Sequence, residues 1–230
     1  MNILYVTDVF PPHCGGSGWS VYFFARALRR EGHNGQIFSL DGPSREYDGF
    51  NVQSIPLTKS QTPFIGNWLR ENRDLPKIAA ALKPFIQKAE ILHAHHRFSA
   101  VALAQAEPSR FFVTIRDYWP ICFCSRSIYR TGASCNLNDF TRCNAEDSQL
   151  KSIATPLVYP WFEARLSRWN ALIRKSQKIF CISNYLKSQL EPIFDEKKLV
   201  VLPNFAEELP SIHRQDLPER ILLFTGRLER

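Results

Sequence analysis

Apolar runs of strand length alternate with helix-length segments along almost all of this 230-residue chain, and that alternation constrains its fold more than any other feature. NILYVTDVF opens the chain, WSVYFFARALRREGH follows with helical periodicity, and GQIFSL and NVQSIPL read as the next two strands. IGNWLRENRDLPKIAAALKPFIQ reads as one broken helix or two short ones, interrupted at Pro76 and Pro84. ILHAH, FFVTI, KIFCIS and KLVVLP are further strands, separated by the helical FSAVALAQAEP, WFEARLSRWNALIRKSQ and NYLKSQLEPIF. Residues 116–155 read as a long irregular region that carries most of the cysteines. Strands joined through helices pair in parallel by right-handed crossovers, so the expected class is α/β, with a Rossmann-like doubly wound parallel sheet. The near-continuous apolar character of NILYVTDVF and ILLFTG fits strands buried on both faces. Residues 1–205 are expected to form this domain, 206–220 a polar, acidic linker, and 221–230 the first strand of a second domain.

Hydrophobic residues make up 44 % of the chain, enough for a real core, yet no uninterrupted apolar stretch approaches a membrane span. MNILYVTDVFPP lacks the basic start, apolar segment and small-residue cleavage site of a signal peptide, so a cytoplasmic protein is expected. The net charge of +7 suits an anionic partner. Nucleic acid is not expected, because no helix-turn-helix, RNP or zinc-finger pattern accompanies the charge.

The stretch FPPHCGGSGWS sits where an open parallel sheet binds ligands, just past the carboxyl end of its first strand. Glycines there let backbone N–H groups approach a phosphate at a helix start. Asp41, beyond the second strand, stands where a dinucleotide site keeps its ribose-binding carboxylate. The dinucleotide fingerprint itself fails, since Gly16-Ser17-Gly18 is followed three residues later by Val21. A loop that simply needs permissive backbone angles is the plain alternative.

Several blocks in order carry a more specific resemblance. Pro11-Pro12, Gly15-Gly16 and the helix end Leu28-Arg29-Arg30-Glu31-Gly32-His33 come first. ILHAHH then resembles a strand end written "DIVHAH", and TIRDYWPIC resembles "T-x-H-D-x-W-x-x-C". KIFCISNYLKSQL, VLPNFA and ILLFTGRLER look like "V-x-x-x-S-x-x-L", "V-I-P-N-G/P" and "F-V-G-R-L-x-x-x-K-G". Together they resemble the amino-terminal, acceptor-side half of family-four glycosyltransferases of the GT-B fold. The resemblance implies transfer of a sugar from a nucleotide-sugar donor to an acceptor hydroxyl, with retention at the anomeric carbon. It implies no metal and no cofactor beyond the nucleotide sugar as co-substrate. Gly15, Gly16 and Arg227 fall on the donor-phosphate positions, and His95, Arg116, Asp117 and Asn204 on the acceptor side. The family's lysine and second-domain glutamates have no counterpart before Arg230, so the chain alone is expected to be inactive. The implied partners are the donor, a glycan or glycolipid acceptor, and a carboxy-terminal domain. The implied setting is cell-surface polysaccharide or glycolipid synthesis.

Arg116 stands where the family usually has histidine near the reaction centre, and an arginine cannot act as a base near neutrality. It and Asp117 are candidates near the chemistry, with a salt bridge between them as the alternative for Arg116 and loop orientation for Asp117. His93 and His95 would share one strand face with His96 on the other; structural or acceptor-side roles suit them better than a metal site. Cys122, Cys124, Cys135 and Cys143 leave open a zinc site, a disulfide or reduced thiols, with C-x-C tight for one tetrahedral ion. Phe162, Leu166, Trp169 and Ile173 share a helical face amid basic residues, which suits the domain core or contact with an anionic inner-membrane surface. Two other functions remain open from the residues: a nicotinamide-dinucleotide oxidoreductase, supported by Gly16, Gly18 and Asp41, and a non-catalytic binding subunit.

Overall fold

The computed structural model describes residues 1–59, 63–123, 125, 134–147 and 155–204. The linker expected at 206–220, the strand at 221–230 with Arg227, and Cys124 lie outside the described residues. In chain order the elements are β1 (Asn2–Thr7), α1 (Gly16–Arg30), β2 (Asn34–Ser39), β3 (Arg45–Tyr47), β4 (Phe50–Ser54) and α2 (Pro63–Leu69). A π-helical turn (Arg70–Asp74) leads into α3 (Leu75–Ile86), followed by β5 (Ile91–Ala94), α4 (Arg97–Ala106), β6 (Phe112–Ile115) and α5 (Leu137–Asp147). The remainder is α6 (Thr155–Ile173), β7 (Lys178–Cys181), α7 (Asn184–Leu190) and β8 (Leu199–Val201).

The strands form one sheet in the order β3-β4-β2-β1-β5-β6-β7-β8, parallel except for β3. The expected α/β class and the doubly wound parallel sheet are therefore present. Alternation within β1 assigns its side chains to two cores. Leu4 and Val6 join Ile78, Leu82, Val101, Trp169 and Leu186 of α3, α4, α6 and α7 on one face. Ile3 and Tyr5 join Val21, Tyr22 and Ala25 of α1 on the other. From β1 the chain winds outward through α1 to β2, then returns through α2 and α3 to β5 on the opposite side. The loops after β1 and β5 thus diverge and open a crevice at the carboxyl edge of the sheet, the usual ligand position in such a fold.

Some local expectations need correction. β3 is a short edge strand that pairs antiparallel with β4 through a two-residue turn at Asp48 and Gly49, whose φ angles are 47° and 71°. Asp-Gly is a strong hairpin signal, and it was legible in EYDGFNV. The interruption expected at Pro76 is the π turn just before it, a wider turn that accommodates a residue with no N–H to donate. Pro84 lies near the end of α3 and does not break it. Within the region read as irregular, residues 137–147 are helical as α5.

Candidate functional site

The loop from β1 to α1 is held by its own side chains. Phe10 is fully buried and meets Tyr22, Tyr47 and Phe50 edge-on. Arg45 Nη2 donates to the carbonyls of Phe10 and Pro11 at 2.8 and 3.1 Å. α1 then starts at Gly16 behind Gly15, which caps it by position but offers no side chain to its free N–H groups. Both glycines are exposed, and a Cβ on either would meet nothing within 4 Å. Gly18 differs: a Cβ there would lie 2.5 Å from Cys14 Sγ and 3.2 Å from the Val9 carbonyl oxygen, so this glycine serves packing.

Next to that helix start, three of the expected acceptor-side residues come together. Arg116, just past β6, donates from Nη1 to the His95 carbonyl at 3.1 Å and to His95 Nδ1 at 3.2 Å. Its Nη2 donates to Ser20 Oγ at 3.3 Å, and the Ser20 hydroxyl donates to Asn204 Oδ1 at 2.8 Å. Ser20, on the second turn of α1, is the residue that sequence reasoning missed; a lone serine in a helix carries no motif. Because a guanidinium only donates, His95 Nδ1 accepts and the ring's proton sits on Nε2, which is buried without a partner. Burial, with His93 and Arg116 nearby, holds the His95 imidazole well below its ordinary pKa. Burial pushes His93 down to about 3. Both rings are neutral at working pH; their centroids lie 4.0 Å apart with the planes tilted by 34°, and Tyr5 and Phe24 enclose them. His95 in this state can donate a hydrogen bond and cannot serve as a base. Burial lowers Arg116 to about 10, so it stays charged.

Asp117 does not join this group. It points to the other side of the edge, is exposed, and accepts the Trp119 N–H at 2.9 Å, so it orients the loop and forms no ion pair with Arg116. Asp8, at the end of β1, accepts the Phe98 and Ser99 N–H groups at 3.1 and 2.7 Å and so caps α4 from a neighbouring strand. Burial raises its pKa despite those bonds. His96 turns back to β1, with Nδ1 at 2.9 Å from Thr7 Oγ1.

Asp41 is committed to the loop. It accepts from Ser39 Oγ and from the Phe10 N–H, and lies 3.6 Å from Arg45 Nη2, which leaves the dinucleotide reading without its ribose carboxylate. Cys122, Cys135 and Cys143 are buried free thiols. A hydrogen bond with Cys122, with burial behind it, pushes the Cys135 thiol far up. Among the described residues no group of three His, Cys, Asp or Glu is placed to hold a metal ion. On α6, Trp169 and Ile173 are buried in the main core, and Phe162 is buried in a smaller cluster with Phe123 and Phe140 against which Leu166 packs, so this apolar face is turned to the protein interior. Among the described residues no helix is long and apolar enough to cross a membrane.

Solved structures share this fold. Sucrose-phosphate synthase from Thermosynechococcus elongatus superposes with a TM-score of 0.54 at 14 % identity, over 88 % of this chain and 48 % of its own. WaaG, a glycosyltransferase involved in lipopolysaccharide biosynthesis, gives 0.49 at 11 % identity, over 87 % of this chain and 44 % of its own. Anabaena Alr3699/HepE, solved in complex with UDP, gives 0.48 at 11 % identity over 89 % and 44 %. The chain thus spans about half the length of these structures. No curated protein matches it in sequence. Its fold is the Rossmann-like amino-terminal half of the GT-B architecture. The sequence profile of Glycosyltransferase Family 4 matches residues 14–207, most of the chain and every element from α1 to β8, and the chain belongs to that family.

Proposed function

We propose that this chain forms the acceptor-side half of an enzyme that moves a sugar from a nucleotide-sugar donor to an acceptor hydroxyl, with retention at the anomeric carbon. The observation that carries the reading is the amino end of α1, open and uncapped at Gly15 and Gly16, one turn away from the Ser20–Arg116–His95 group on the same crevice. Free helix N–H groups and the positive end of the helix dipole suit a diphosphate leaving group, and no metal is needed for that contact. Arg227 is assigned to the same diphosphate from the resemblance of FTGRLER. Asn204, His95 and Arg116 then face the acceptor, while Asp117 orients the loop beside them. The setting proposed is cell-surface polysaccharide or glycolipid synthesis in the cytoplasm.

Gly16→Trp in the full-length protein tests this. The indole would occupy open space, so the unfolding temperature should hold while transfer from nucleotide sugars falls roughly a hundredfold. Unchanged transfer would remove the donor contact from α1. The anomeric configuration of the product, read by proton NMR, decides retention.

A further inference from the structure

We infer that a cavity beside α6, outside the crevice, is a second binding site that takes a small, neutral, polyhydroxylated ligand of the size of one sugar ring. α6 forms one wall; the loop after β6 at Pro120 and the loop after α7 at Pro192 and Ile193 form the others, around about 250 Å³. α6 lies on the face of the sheet where its Trp169 and Ile173 join Leu4 and Val6, opposite the face covered by α1. Neither the donor contact nor the acceptor-side residues proposed above take part in it.

Asn170 is the decisive residue. It lines the cavity and is only 6 % exposed. Its Nδ2 donates to the Pro120 carbonyl at 2.8 Å. A carbonyl only accepts, so the amide cannot be turned over and Oδ1 faces away from Pro120. That oxygen is buried with no partner among the described residues. Buried polar atoms are almost always paired, so Oδ1 calls for an O–H or N–H group brought in from outside. One turn further on, Arg174 Nε donates to the Ile193 carbonyl at 3.0 Å, which holds the guanidinium at the cavity. Among the described residues no hydrogen bond engages its two terminal nitrogens, or the hydroxyl of the exposed Ser167 one turn before Asn170.

Ser167, Asn170 and Arg174 stand on one stripe of α6, spaced about 4.5 and 6 Å along its axis. In that order the stripe offers a hydroxyl, an acceptor and a donor. A hydroxyl both donates and accepts, so a ligand bearing several of them satisfies all three. Leu166, Pro120, Pro192 and Ile193 give apolar walls for its C–H faces. Glu163 and Arg174 are the charged residues of the lining, one of each sign, so an ion gains no net attraction. The space far exceeds the roughly 30 Å³ of one water and falls below the roughly 300–1,000 Å³ of a drug-sized pocket. A single ring fits it better than solvent or a longer chain.

Nuclear magnetic resonance of the full-length protein, labelled with nitrogen-15 in its asparagine side chains, decides the matter. The Asn170 amide reports the cavity and the Asn204 amide reports the crevice. In titrations with glucose, mannose and galactose at millimolar concentrations, at least one sugar should shift the Asn170 signals to saturation. N-acetylglycinamide, a neutral peptide-like probe, should not. Ser167→Trp fills the cavity from an exposed helix position and should weaken the sugar at Asn170 about tenfold or more, with the Asn204 signals responding as before. No saturable shift at Asn170 with any of the three sugars, equal binding of the peptide-like probe, or an unchanged affinity in Ser167→Trp overturns the site. Should that variant not fold, the wild-type signals alone decide. Failure here leaves the Gly16→Trp result standing, since that variant reads the donor contact across the sheet from this cavity.

Discussion

The two faces of the sheet handle ionisable side chains at the crevice in opposite ways. On the α1 face, burial strips charge: His93 and His95 are neutral and in ring-to-ring contact, and Arg116 is the charged group, with its donors turned onto a carbonyl, a ring nitrogen and a hydroxyl. On the α4 and α6 face charge is kept and shared, as Glu71 lies between Arg165 and Arg168, and Asp8 holds the start of α4. Aromatic rings line both faces, yet they enclose neutral imidazoles on one and guanidinium groups on the other. Burial pushes the groups on both faces toward their neutral forms, and on the α4 and α6 face opposite charges within reach offset part of that push.

The sharpest way to break this contrast is Arg165→Met. Its side chain is 4 % exposed and that of Glu71 8 %, so removing the cation leaves a buried carboxylate paired only with the exposed Arg168, with the charge of Arg97 nearby but not in an ion pair with it. Stability should fall by about 3–5 kcal/mol in chemical denaturation, and Glu71→Leu in the same chain should restore much of it. A loss below about 1 kcal/mol would mean that this face is no more charge-dependent than the other.

The second test is pH. His93 has a folded pKa of about 3 against 6.5 for the free side chain, so below 6.5 the unfolded chain takes up a proton that the folded chain refuses. Its contribution is fully present above 6.5 and is lost, at about 1.4 kcal/mol per pH unit, as the pH falls towards 3. His95 acts in the same direction. Asp8 and Glu71, whose folded pKa values are raised, run the other way: their contribution is present in acid and is lost as the pH rises through the folded pKa. His93→Gln can keep a partner for Thr114 Oγ1, which His93 Nε2 meets at 2.8 Å, and should flatten the fall in unfolding temperature between pH 7 and pH 5. An unchanged slope would place the acid sensitivity elsewhere.

The smallest effect expected is Ser20→Ala. It removes a half-buried hydroxyl between Arg116 and Asn204 and should cost about 1 kcal/mol or less by thermal melting. A cost near that of Arg165→Met would erase the difference between the faces.

How far the sequence discloses this molecule follows from the same physics. Parallel strands buried on both sides are apolar runs, so NILYVT and FFVTI announce themselves. Arg45–Tyr47 has no apolar run because an edge strand needs none, and only its Asp-Gly turn marks it. The glycines, His95, Arg116 and Asn204 were legible through their blocks. Ser20 was not, because it reaches Asn204 across 184 residues and only the fold brings them together. Arg97 and Arg165 were likewise invisible as a pair. Periodicity finds the buried face of α6, but nothing local says that Trp169 on that face shares its ring with the first residue of α4.

The Ser20–Asn204 bond also has a mechanical meaning. Asn204 is the last described residue after β8, and its amide is fastened to α1 rather than to the adjacent strand. Through Ser20 Oγ and the two terminal nitrogens of Arg116 that amide is linked to the His95 carbonyl, so the segment after β8, the second turn of α1 and the end of β5 are tied together by side chains at the floor of the crevice.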